Sequence, residues 1–475
     1  MEEKPKKNLI VPIGPNELVN IGNSIAITNK ILFERAEKYF NKGFCLINSQ
    51  NQFNSTENYY VNIVNNSNYL KTMKFKYLTL KSEDNERGIE FFIEAIELVP
   101  TFFLAYWACG IAKFDLKDFD GAIVDYSKAI EIDPYFAYAY YSRGNAKRTL
   151  KNFEGAIMDY SKANEIDPNF AYAYLGRGNA KSDLKDFEGA IVDYSKAIEI
   201  DPNYAAAYNN CGNAKCELKD IEGAIVDYSK AIEINPNISE AYNGLGIAKS
   251  DLMDFEGAIV DYLKAIEIDP NYAEAYFGRG NAKSELKDFE GAIEDYSKAI
   301  EIDPNYAAAY NNCGNAKCEL KDIEGAIVDY SKAIEIDPNI SEAYNNRGCT
   351  KLDLMDFEGA IVDYLKAIEI DPNYACAYNG LGNAKSDLKD FEGAIVDYSK
   401  AIEINTNFAD AYNNRGCTKL DLNDVEGAIK DYSKAIEVDP KFAVAYSNRE
   451  IAKEKIGDAL GAEEDRMKFN QLKGK

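Results

Sequence analysis

Thiols and carboxylates are the side chains best placed to do chemistry in this chain, because it contains no histidine. That absence removes the commonest general base, the usual imidazole metal ligand and every Ser-His or Cys-His nucleophile pair, and leaves carboxylate or lysine chemistry. Cys211 and Cys216 in CGNAKC, repeated as Cys313 and Cys318, have a spacing that invites a metal reading. Five residues along a helix, however, turn about 140° around its axis, so one helix cannot aim both thiolates at one ion. GRGNAK and CGNAKC do not read as phosphate loops either, since their glycines fall within a helical pattern with no strand before it. Acid pairs such as Asp186 and Glu188 recur in almost every turn, as helix caps would, and mark no single acid/base pair. The expectation is a protein that is not an enzyme, with no catalytic residue, no cofactor and no metal.

What these residues share is a period. Pro100, Pro134, Pro168, Pro202, Pro236, Pro270, Pro304, Pro338 and Pro372 fall in one 34-residue register, and Pro440 returns to it after Thr406. Residues 203–234 recur letter for letter at 305–336. A fixed period in this range signals stacked repeats in which each unit touches only its neighbours.

In the stretch from Ala171, counted as position 1, Ala173, Tyr174, Arg177, Gly178, Lys181 and Leu184 share one side of a helical wheel. A turn at Lys185 to Phe187 follows, and Asp186 can N-cap a second helix whose inward stripe is Ala190, Ile191, Tyr194, Ala197 and Ile198. Asp201-Pro202 is expected to end one repeat and to supply the cap and first turn of the next. Small residues at positions 8, 20 and 27 leave room for close backbones, and aromatics at 4, 17 and 24 fill the space between them.

This unit resembles the tetratricopeptide repeat, on the aromatic at position 4, Gly at 8, Ala at 20, aromatic at 24, Ala at 27 and Pro at 32. The resemblance implies an all-α fold, a right-handed superhelical solenoid of helix-turn-helix units. It covers ten full repeats over 103–442, and 443–475 reads as a degenerate C-terminal capping repeat. Residues 36–102 read as a divergent TPR-like N-terminal cap, and 1–35 as a flexible leader with the start of an N-terminal helix. Two positions depart from the family pattern: Arg at 7 (Arg143, Arg177, Arg279, Arg347, Arg415) and Lys at 11 throughout. With Asp recurring at 23, the lysines suggest a ladder of ion pairs.

In the family, the side of the first helix that points away from the packing lines a concave groove for extended peptides or partner helices. Here that side carries Asn209, Asn243, Asn311, Asn345, Asn379 and Asn413 at position 5, Asn213, Asn315 and Asn383 at position 9, and Glu240, Glu274 and Glu342 at position 2. An amide both donates and accepts, so a row of asparagines suits a peptide backbone of any sequence. The net charge of −25 and the acidic row favour a basic protein or peptide partner and disfavour nucleic acid and anionic membrane surfaces. The lysines and arginine of the family's clamp for the acidic chaperone tail are absent, so that tail is not expected to bind. The sequence shows no signal-peptide core and no membrane-length apolar run, and its cysteines suit a reducing compartment, so a cytoplasmic protein is expected. The function that follows is a non-catalytic interaction scaffold or adaptor that binds in the groove. Two alternatives are a self-associating rod, suggested by a valine stripe at position 22, and a regulatory subunit with its activity in the first hundred residues.

Overall fold

In the computed structural model, residues 82–474 and, ahead of them, 35, 36, 38 and 39 are described. The expected leader at 1–35, apart from residue 35, and most of the part of the expected 36–102 cap that precedes residue 82 lie outside the described residues. The protein is an all-α helical repeat solenoid: helix Ser82–Leu98 is followed by eleven helix pairs, from Phe103–Asp115 with Phe119–Ile132 to Ala443–Lys455 with Ala459–Lys473. Contacts divide it into two compact units that meet in sequence at Pro236 and Asn237. Within each unit, a helix packs on its pair-mate and on the helices of the adjoining pairs.

Local chemistry explains each pair. Helix Ala171–Asp183 ends because Lys185 takes the left-handed conformation at φ 63°. The amides of Lys185 and Asp186 then donate back to the carbonyls of Ser182 and Lys181 at 2.8 and 2.9 Å, a Schellman closure. Gly457 occupies the same turn position in the last pair at φ 79°, where a glycine carries no Cβ penalty. The second helix starts where expected: the carboxylate of Asp186 accepts from the amide of Gly189 at 3.0 Å.

Two expectations are corrected. Asp201 and Pro202 do not open the next helix, which begins at Ala205 after Tyr204. Asp201 instead ends the preceding helix in an extended conformation, and its carboxylate accepts from the amide of Asn203 at 3.0 Å, so the dipeptide forms a turn between repeats. Leu184, expected inside, caps the first helix and is exposed; Gly176 and Ala180 are buried on that helix.

The core is built on the tyrosine at position 24. Tyr364 is fully buried and lies between Gly348 of its own repeat and Gly380 of the next; a Cβ at Gly380 would come within 2.5 Å of its ring. Glycine at these positions therefore sets how closely the backbones approach. In the N-terminal unit, Phe92 and Ala95 are fully buried in one cluster with Trp107, Tyr126 and Phe136.

Candidate interaction surface

The lysines at position 11 are structural. Each pairs with the aspartate at position 23, from Lys113–Asp125 at 2.7 Å to Lys453–Asp465 at 2.9 Å. Where position 7 is arginine, that side chain completes the same cluster: Arg347 grips Asp363 through Nε and Nη2 at 2.9 and 2.6 Å and donates through Nη1 to Ser331 of the preceding repeat at 3.0 Å. The guanidinium thus ties both helices of one repeat to the repeat before it. At Asp465, burial pushes the carboxyl up, but hydrogen bonds from Arg449 and Lys453 outweigh it and hold the group below the ordinary range. Where leucine replaces the arginine, as at Leu245 and Leu381, burial prevails and Asp261 and Asp397 are raised despite their lysines.

Among the described residues no three His, Cys, Asp or Glu side chains cluster to hold an ion. Burial, then a hydrogen bond with Asp227, pushes the Cys211 thiol up to about 12, so it packs as a neutral group.

The first helices of neighbouring repeats also touch one another, and their remaining side forms a continuous face within each unit. On it Glu240, Glu274 and Glu342 are exposed, as is Asp410 farther along the same unit. The asparagines are placed differently from the expectation of a solvent-facing row. Asn209, Asn243, Asn311, Asn345 and Asn413 are buried, at 5–7% exposure, and Asn379 is half-buried. Four of these amides donate within the chain: Asn209 Nδ2 to Asn210 Oδ1 at 3.2 Å, Asn311 to Asn312 at 3.2 Å, and Asn345 and Asn413 to Asn346 and Asn414 at 3.3 Å.

Asn213, Asn315 and Asn383 sit nearer the surface, but each accepts at Oδ1 from the position-24 tyrosine of its own repeat, at 2.8 Å from Tyr228, Tyr330 and Tyr398. Where position 6 of the following repeat is asparagine, the position-9 amide accepts a second bond from it: Asn179 from Asn210 at 2.9 Å, Asn281 from Asn312 at 2.9 Å, Asn315 from Asn346 at 3.0 Å and Asn383 from Asn414 at 3.2 Å. Position 6, which the sequence reading did not single out, is thus what links the amides. A signal for it was present, because a position-6 asparagine follows a position-9 asparagine in four successive-repeat pairs.

A model described as TPR repeat matches residues 112–150, 144–184, 178–218, 212–252, 254–286, 280–317, 314–354 and 351–388, and one described as tetratricopeptide repeat matches 375–408 and 409–442. The chain belongs to the tetratricopeptide repeat family. Membership places it, in general terms, among protein-interaction scaffolds. Solved structures similar to this TPR chain include the APC/C hetero-tetramer Cut9-Hcn1, at 17% identity and a TM-score of 0.45 over 78% of this chain and 87% of that one. YrrB, described as a TPR protein with an unusual peptide-binding site, is 27% identical over 39% of this chain and 95% of its own, with a TM-score of 0.33. MamA is 29% identical over 34% of this chain and 96% of its own, with a TM-score of 0.32. No curated protein sequence matches the chain. No described helix is long and apolar enough to cross a membrane.

Proposed function

We propose that this TPR protein is a non-catalytic scaffold that docks a basic, extended peptide or partner helix on the face formed by its first helices. The observation that supports this reading is the exposed row Glu240, Glu274 and Glu342, on three first helices of one unit. None of the three carboxylates forms an ion pair among the described residues, so the row presents uncompensated negative charge. Spaced lysines or arginines on a partner would complement it and be steered toward it. The asparagines take a smaller part than the sequence suggested, because five of the six at position 5 are buried and those at position 9 already accept from a tyrosine of their own repeat. Asn213 and Asn315 are the exposed amides that remain within a partner's reach.

The experiment compares proteins captured by the full chain and by the triple variant Glu240→Lys, Glu274→Lys, Glu342→Lys, at low and physiological salt. A specific partner should be retained by the first, lost from the second, and associate about tenfold more slowly with the variant. A captured set unchanged by both salt and charge reversal would overturn the proposal. A second reading, self-association, draws support from Val124, Val192, Val226 and Val328, each 66% exposed on the second helices. Sedimentation of the purified chain at several concentrations tests it.

A further inference from the structure

The N-terminal unit contains a pocket of about 190 Å³ on the first-helix side of three successive repeats. That is larger than the roughly 150 Å³ engineered cavity that accepts benzene. Its walls are mostly aromatic, among them Trp107, Phe114, Tyr138, Tyr141 and Tyr172. The rings brace one another: Trp107 and Tyr138 have centroids 6.4 Å apart, Tyr138 and Phe170 4.6 Å, and Tyr141 and Phe170 5.1 Å. Tyr138, Tyr141 and Tyr172 are half-buried and so reach the mouth.

One residue does not belong in an apolar wall. Among the described residues Asp115 is the only charged side chain lining the pocket, and its carboxylate has no hydrogen bond or ion pair with any of them. Burial alone pushes its carboxyl up to about 6. The acids at the same repeat position farther along the chain, such as Asp183, Glu217 and Asp251, are exposed to water. A neutral apolar guest would bury the Asp115 charge further with no partner, which is unfavourable, whereas a cation would compensate it.

The type of cation follows from the remaining polar atoms. Ser142 Oγ already accepts from Trp107 Nε1 at 3.0 Å, and Asn145 Oδ1 from the hydroxyl of Tyr160 at 2.7 Å. A primary ammonium or a guanidinium entering the pocket would have to satisfy its several N–H groups on the Asp115 carboxylate and the tyrosine hydroxyls of the wall. A quaternary ammonium has no N–H to satisfy, and aromatic π-systems attract it. We infer that this pocket binds a quaternary ammonium group, surrounded by Trp107, Tyr138, Tyr141 and Tyr172 and paired with the carboxylate of Asp115. Such a group comes either from a free small molecule of the choline type or from a trimethylated lysine on a docked protein. The inference does not depend on the scaffold proposal, since a free ligand would fill the same pocket.

Trp107 is the single tryptophan of the chain, so fluorescence of the full-length protein excited at the red edge of indole absorption, where the 34 tyrosines are silent, reports on this wall. Titration with choline should give a saturable change. The neutral isostere 3,3-dimethylbutan-1-ol should bind about tenfold more weakly or less. Asp115→Asn, which keeps the shape and removes the charge, should weaken choline about tenfold and leave the neutral isostere unchanged. Tyr172→Leu, a change on a different helix, should weaken choline as well. A trimethyllysine peptide that binds more tightly than choline, and than the same peptide with unmodified lysine, identifies the protein-borne source; choline binding as tightly as the peptide identifies the free one. Equal affinity for choline and its isostere, or no saturable response to choline or to the trimethyllysine peptide, would overturn the inference.

Discussion

Asn346 donates through Nδ2 to Oδ1 of Asn315 at 3.0 Å, across the boundary between two successive repeats. The same oxygen accepts from the hydroxyl of Tyr330 at 2.8 Å, on a ring that is almost fully buried. One amide therefore joins the two helices of its own repeat to the first helix of the next.

Asn315→Ala is accordingly expected to lower stability by about 1–3 kcal/mol, because it removes an acceptor that serves two donors. An asparagine used only for ligand binding would leave stability unchanged. Urea denaturation of Asn315→Ala, Asn346→Ala and the double variant checks this; the coupling between the two should be of the order of 1 kcal/mol. Additive effects would show that the inter-repeat bond contributes nothing.

Arg347→Leu recreates in one repeat the environment found around Leu381 in the next. Asp363 is 1% exposed and would keep only Lys351, at 2.8 Å. Its carboxyl should then rise above the ordinary range, as that of Asp397 does. Loss of the bidentate hydrogen bonds should lower stability by about 2–3 kcal/mol, measured by hydrogen exchange of the flanking helix amides. Carboxyl NMR titration should show the shift directly, and an unmoved Asp363 would mean that Lys351 alone holds it.

Asn164 occupies a position where other repeats carry isoleucine, such as Ile198 and Ile232. It is buried at 6% exposure, and neither its Oδ1 nor its Nδ2 has a hydrogen-bond partner. Asn164→Ile should stabilise the N-terminal unit by about 1–3 kcal/mol. A rise in the unfolding midpoint checks it, and a fall would indicate that the larger side chain does not fit.

Asp115 gives a pH signature of known sign. Its folded pKa is raised from 3.8 to about 6, so the folded state prefers the protonated acid. The group's stabilising protonation is fully present below about pH 3.8 and is lost as pH rises to about 6. Asp115→Asn should therefore melt higher than the unaltered protein at pH 7, with the difference vanishing near pH 4. Parallel melting curves at the two pH values would show that the carboxylate is well solvated.

The helix pairs and their register were legible in the sequence, because they rest on short-range physics. Apolar spacing near 3.6 residues, glycine at position 8 and an acidic cap at position 16 act within one repeat, and that pattern recurs along the chain. The Lys181–Asp193 pairing, at 2.8 Å, belongs here too, since both residues fall on the facing sides of one helix pair. The fate of the asparagines was decided only by the tertiary structure. A helical wheel places position 5 on the open flank, but it takes no account of the neighbouring repeat, whose first helix covers Asn311 and brings Asn346 to within 3.4 Å of it. The aromatic pocket has the same origin. Trp107, Asp115, Tyr138 and Tyr172 come from three repeats, and none is unusual for a helix of its own; only the stacking of those repeats places an unpaired carboxylate among their rings. Periodicity determines what each unit is, whereas the distance and angle between units determine which side chains remain free.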